Sequence, residues 1–325
     1  MQNRNNDFNE HSSVLETVFF ALGTTNRATV STCRDRIAAG EALKRAEERV
    51  RSLHDSLSVF QPESELSLLN ASAGCSSVPV GADAFYLLSE SKRYSEISGG
   101  AFSITTRALS ALWEIHARCG TVPSRIEVEH ALTLVNDQDI LLDEENHTAE
   151  LRRFGQSVDL GAIAKGYAAD EVKRILVEGG VTGALINLGG TVCVIGSAKH
   201  VGIQHPDRLT GIAMGRVSLS DNCAVTSGDY ERFYEVDGTR YHHIVDPRTG
   251  YPSRSGLRSV TLIGESALAL DALSTAVFVL GAEAGLPLIR EAGVEAVFVT
   301  DQLDVFCSEG LRGNFELLVS AQDGI

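Results

Sequence analysis

Residues 162–195 read AIAKGYAADEVKRILVEGGVTGALINLGGTVCVI. Ala162 to Glu178 has the composition of a helix, and Gly179-Gly180 stops it. Ala184 to Leu188 and Val192 to Ile195 then read as strands on either side of Gly189-Gly190. No helix separates these two strands, so this stretch departs from strict βαβ alternation and points away from a doubly wound sheet.

The same mixture continues outward. Downstream, Tyr230 to Val236 and Thr239 to Val245 flank Asp237-Gly238, a strong hairpin signal. Ser259 to Ile263 reads as a strand, Leu268 to Leu280 and Glu283 to Ala292 as helices, and Val294 to Thr300 and Val305 to Ser308 as closing strands. Upstream, Val14 to Leu22 and Arg27 to Thr32 read as strands around the turn Gly23-Thr24-Thr25-Asn26. Glu41 to Phe60 reads as a helix, because Leu43, Ala46, Val50, Leu53, Leu57 and Phe60 recur at three- and four-residue steps. Ala82 to Ile97 is a second helix, stopped by Gly99-Gly100. Ser124 and Glu127 form a capping box that opens a helix through Val135. Ile140 to Leu142 and His147 to Phe154 read as a hairpin. The expected class is α+β, with mixed and antiparallel sheets and packed helices in a single domain of two lobes over residues 14–325. The polar segment 1–13, MQNRNNDFNEHSS, is expected to be a disordered tail.

Composition narrows the function. The net charge of −15, from 28 basic and 43 acidic residues, argues against nucleic-acid or anionic-membrane binding. An anionic ligand would need a metal ion or a few placed cations. No segment is apolar for long enough to span a bilayer, and Val14 to Leu22 contains Glu16, so a cytoplasmic location is expected. The cysteines Cys33, Cys75, Cys119, Cys193, Cys223 and Cys307 form no CxxC pair, and their spacing suggests neither a zinc site nor a disulfide framework. Most are expected to be reduced, several of them packed as small hydrophobes.

Four constellations concentrate chemistry. Ser157 to Tyr167 sets Asp159 and Lys165 around a glycine entry into a helix, whose free amides suit a phosphate. A plain helix start with Lys165 on a solvated face explains it equally well. Asn187-Leu188-Gly189-Gly190 permits close backbone approach but also fits an ordinary turn. Thr226-Ser227-Gly228-Asp229-Tyr230 leads to His242-His243 and then Asp246-Pro247-Arg248-Thr249-Gly250, placing histidines and charges at a strand end. His242 and His243 should face opposite sides. Asp271 and Thr275 are i and i+4 on an apolar helix, with Ser274 beside them. Hard oxygen ligands of this kind suit Mg²⁺, although a helix cap at Asp271 is the simpler reading of that stretch alone.

Taken in order, these elements resemble the FAD:protein FMN transferases, the ApbE family. The resemblance runs from about Val18 to about Phe315. It includes Ala21-Leu22-Gly23-Thr24, Phe60-Gln61-Pro62-Glu63-Ser64-Glu65-Leu66-Ser67 with Asn70, and Gly99-Gly100-Ala101-Phe102 before Trp113. It implies an Mg²⁺-dependent enzyme that cleaves the FAD pyrophosphate, passes FMN to a Thr or Ser hydroxyl of an acceptor flavoprotein and releases AMP. By that resemblance Asp271, Thr275, Ser274 and the Ala162 carbonyl are metal ligands. Leu22, Phe60, Ala101, Phe102, Ser103, Asp159, Lys165 and Ile244 line the FAD site. His243 is the base for the acceptor hydroxyl, poised near neutral pH. Leu22, Phe60 and Ser103 stand where many members have Met, Tyr and Asp, which alters the grip on FAD. Two other readings stay open: hydrolysis of FAD to FMN and AMP, and non-catalytic flavin binding.

Overall fold

In the structure, a computed structural model that describes residues 14–318, the chain opens with a tight hairpin. The expected tail 1–13, like residues 319–325, lies outside the described residues. The turn is Leu22-Gly23, both at positive φ (53° and 74°), so β1 (Leu15–Ala21) pairs with β2 (Thr24–Cys33) directly across it. The four-residue turn read from the sequence is corrected to two, because two successive left-handed residues match the twist of the flanking strands.

Then come α1 (Arg36–Leu57), capped by Asp35, α2 (Glu65–Ala71), β3 (Val78–Pro79), α3 (Ala82–Ile97), α4 (Arg107–Cys119) and α5 (Arg125–Leu132). The Ser124–Glu127 capping box is present, but α5 ends three residues before Val135. β4 (Ile140–Asp143) and β5 (Thr148–Leu151) form the expected hairpin. The decisive segment folds as α6 (Ala164–Glu178), β6 (Val181–Leu188) and β7 (Thr191–Ile195). β8 (Lys199–Gln204), β9 (Ala213–Leu219) and β10 (Cys223–Gly228) follow, then the ribbon β11 (Phe233–Val236) and β12 (Thr239–His242). The chain closes with β13 (Leu257–Gly264), α7 (Ala267–Leu280), α8 (Ala282–Ala292), β14 (Glu295–Thr300), β15 (Val305–Cys307) and β16 (Phe315–Leu317).

The main sheet has eight strands in the order β1-β2-β6-β7-β10-β13-β14-β15, and every neighbouring pair is antiparallel. Alternate residues face opposite sides. Ile186, Cys193, Val225, Leu262 and Phe298 join α1, α6, α7 and α8 in the principal core. Val194, Ala224, Ile263 and Val297 meet the second sheet, β16-β9-β8, through Ile203 and Val217 on the reverse face. Leu109, Trp113, Val128, Ala131 and Val245 make a separate cluster under the ribbon. The architecture is α+β with antiparallel sheets, as read from the sequence.

Four of the six cysteines are free, as most were expected to be, but one pair is joined where the spacing suggested none. Cys193 on β7 lies directly opposite Cys223 on β10, both fully buried, and the two are joined as a disulfide. The pairing was hidden because 30 residues separate the two cysteines and only the strand register brings them together. Among the described residues no helix is long and apolar enough to cross a membrane.

Candidate active site

The site is built around the start of α6. Asn70 on α2 clamps the preceding segment: its amide donates to the Val158 carbonyl (3.0 Å) and its carbonyl accepts from Val158 N–H (2.8 Å). Asp159 N–H donates to the Ile104 carbonyl, and the Asp159 carboxylate accepts from Gly161 N–H (2.8 Å). The segment is therefore held between α2 and the Ala101–Thr106 loop, which presents the first turn of α6 in a fixed place.

α6 then crosses α7 at close range. A Cβ on Gly166 would fall on the Ala267 carbonyl and 2.8 Å from Asp271 Cβ. Because Gly166 lacks one, its N–H reaches Asp271 Oδ2 at 2.9 Å. Asp271 is 4% exposed on a helix that is otherwise almost entirely apolar. The simpler cap reading does not hold for it. Ser266 caps α7, and Asp170 of α6 accepts from Ala267 N–H and Leu268 N–H. Asp271 sits deeper, where its carboxylate faces the Lys165 ammonium at 3.4 Å from both oxygens. That ammonium also donates to the Gly161 carbonyl at 2.7 Å.

Ser274 and Thr275 continue the same helix face, each hydroxyl donating to the Asp271 carbonyl. Ser227 arrives from β10, its hydroxyl 2.9 Å from Ser274 Oγ and 3.4 Å from Thr275 Oγ1. Reading the sequence quoted Ser227 without giving it a role. No spacing rule could supply one, since 47 residues separate it from Ser274.

The strand read through Val245 ends at His242, so His243 lies just beyond β12, and the two histidines make different contacts. His242 is buried, accepts from Ile244 N–H at Nδ1 and donates from Nε2 to the Ser253 carbonyl. His243 is half-buried, and its Nδ1 donates to the Arg232 carbonyl at 3.2 Å, which leaves Nε2 with a free lone pair. Its pKa is corrected from the expected neutral poise. Burial, then the Arg232 guanidinium, push it down to about 3, and Lys165 adds in the same direction.

The remaining sequence candidates form the surround. Leu22 packs against the principal core from the first hairpin. Phe60 is 72% exposed, with the Arg107 guanidinium 5.4 Å over its ring. Ala101 and Phe102 are fully buried and Phe102 packs on Tyr94, so neither presents surface to a ligand in this structure. Ser103 Oγ is engaged with Thr105 Oγ1 at 2.9 Å. Ile244 is buried at the core edge. Trp113 fixes the Asp246–Gly250 turn by donating to the Gly250 carbonyl at 2.9 Å.

The donor set suits a hard divalent cation. It offers one buried carboxylate, three neutral hydroxyls and the Gly161 carbonyl, with an ammonium standing in as the cation. Among the described residues no group of three or more His, Cys, Asp or Glu is placed to hold a metal. A site with one carboxylate fits Mg²⁺, which completes its shell with water and substrate phosphate.

The ApbE family model matches residues 22–298, and the chain belongs to the ApbE family. A FAD:protein FMN transferase from Klebsiella pneumoniae is 37% identical over 282 residues, 86% of this chain and 89% of that one. One from Treponema pallidum is 35% identical, covering 91% and 87%. The crystal structure of the ApbE protein from Thermotoga maritima superposes with a TM-score of 0.85 at 31% identity, covering 93% of this chain and 99% of that one. The Pseudomonas stutzeri flavinyl transferase ApbE in its apo form gives 0.82 at 28% identity, covering 94% and 98%.

Proposed function

We infer that this protein transfers FMN from FAD to a Thr or Ser hydroxyl of an acceptor flavoprotein and releases AMP, the activity named for its relatives. The observation that carries the reading is the Asp271 carboxylate. It is buried, released from capping and grouped with Ser274, Thr275, Ser227 and Lys165 in one cluster.

Asp271, Thr275 and Ser274, with the Ala162 carbonyl, would hold Mg²⁺. When bound, the metal offsets charge on the pyrophosphate oxygens. Lys165 and the first turn of α6 bind the phosphates, and Phe60, Leu22 and Ile244 offer apolar surface to the ring systems. His243 Nε2 takes the proton of the acceptor hydroxyl. The freed oxygen attacks the phosphorus on the riboflavin side, the bridging P–O bond breaks, and AMP carries away that electron pair. Burial first, and then the Arg232 and Lys165 cations, hold the imidazole near 3, so it is a weak base; a bound anion that offsets the cations would raise it in part.

Incubation of the protein with FAD, Mg²⁺ and candidate acceptors should add one FMN mass to an acceptor and release an equal amount of AMP. AMP released at the same rate with no acceptor would favour FAD hydrolysis, and tight FAD binding without turnover would favour a carrier.

A further inference from the structure

We propose that Lys165 is a resident counter-cation that competes with the divalent metal for Asp271, so that the protein alone binds metal weakly. The inference rests on reading Asp271 as a metal ligand.

Lys165 Nζ lies 3.4 Å from Asp271 Oδ1 and 3.4 Å from Oδ2, straddling the carboxylate, and 2.7 Å from the Gly161 carbonyl. It therefore takes up hard oxygen donors of the kind a small divalent cation seeks. Asp271 cannot turn away to serve both. Oδ2 is fixed by Gly166 N–H, and the side chain is only 6% exposed. Lys165 is 27% exposed and sits on the first turn of α6, with a long flexible stem. Of the two partners it is the one free to move.

Among the described residues Asp271 is the only acid within ion-pair distance of Lys165, and the ion pair is one to one. Ser274 supplies a hydroxyl on the same face, and the other neighbouring donors, Ser227 and Thr275, are also uncharged. One carboxylate against one ammonium is close to neutral, which removes the field that would draw in a dication. A pyrophosphate has the charge to pull the ammonium off Asp271 and bring a bound cation with it. Metal and nucleotide binding then become mutually dependent, with Lys165 as the moving part.

The test is calorimetric titration of Mn²⁺ alone into the full-length protein, without nucleotide. Wild type, Lys165→Gln, Lys165→Arg and Asp271→Asn are compared, and thermal melts check that each is folded. Removing a partly screened unit charge at this separation should tighten Mn²⁺ binding by about tenfold or more in Lys165→Gln. Lys165→Arg keeps the charge and should bind as wild type does, which a merely structural role for the side chain would not predict. Asp271→Asn should lose the site. Equal or weaker binding in Lys165→Gln overturns the competition while leaving Asp271 as a ligand. Wild-type binding in Asp271→Asn overturns the metal assignment itself, and the competition with it.

Discussion

Replacing Gly166 with alanine tests the close crossing of α6 and α7 on which the site depends. The new methyl would press on the Ala267 carbonyl and sit 2.8 Å from Asp271 Cβ. Both contacts lie on α7, which is packed in the core and has little room to yield. Overpacking of this kind costs about 1–3 kcal/mol. Pushing the helices apart also weakens the Gly166 N–H bond to the carboxylate, an interaction worth about 1.5–3 kcal/mol. Alanine recovers about 1 kcal/mol through its better helix propensity. The net loss is about 1.5–5 kcal/mol, or roughly 2–7 °C in Tm. Differential scanning calorimetry reads the first effect and Mn²⁺ titration the second, since a displaced Asp271 cannot keep its ligand geometry. A variant with wild-type Tm and wild-type metal affinity would refute the claim that this contact sets the site.

Three further outcomes follow from the same geometry. His243→Gln should lower the rate of FMN transfer by about 10²–10⁴ while FAD affinity, measured by fluorescence, stays nearly unchanged; equal loss of both would make His243 a binding residue. The folded pKa of His243 lies below its ordinary 6.5, so as pH falls through 6.5 the unfolded chain takes up a proton that the folded one refuses until about 3. Stability from this group is thus lost on acidification across that window, and urea midpoints of His243→Gln should fall less steeply there than those of wild type. Finally, denatured but unreduced protein should show four reactive thiols, Cys33, Cys75, Cys119 and Cys307, and six only after reductant. Six at the outset would refute the Cys193–Cys223 bond.

Much of the fold was legible because its signals are local. Ala82–Ile97 was read to the residue, and α7 and α8 to within one, since glycines or changes of period mark their ends. α2 and α4 were missed: α2 is only seven residues long, and α4 buries just Leu109 and Trp113 and has no side-chain cap to announce its start. β8 and β9 also escaped, because their exposed faces carry charge and glycine and their pairing with each other and β16 makes sense only in three dimensions. The site divides the same way. Asp271 with Thr275 follows from helical spacing. Ser227 against Ser274, Lys165 against Asp271 and Asp170 on the start of α7 join residues 47 to 106 positions apart, so nothing in the local pattern reveals them. The low pKa of His243 was unreadable for a related reason, since two of its causes are burial and a lysine 78 positions upstream in the chain.

Trp113 is the chain's one tryptophan, and its indole is tied to the Gly250 carbonyl while stacked 5.5 Å from Tyr241 on β12. The protein's indole emission therefore comes from a single chromophore anchored to the turn just beyond His243. Flavins absorb where indoles emit, so a flavin nucleotide settling nearby would quench that light by resonance transfer. The fold thus carries its own optical gauge, through which arrival of the nucleotide can be followed in real time without an added label.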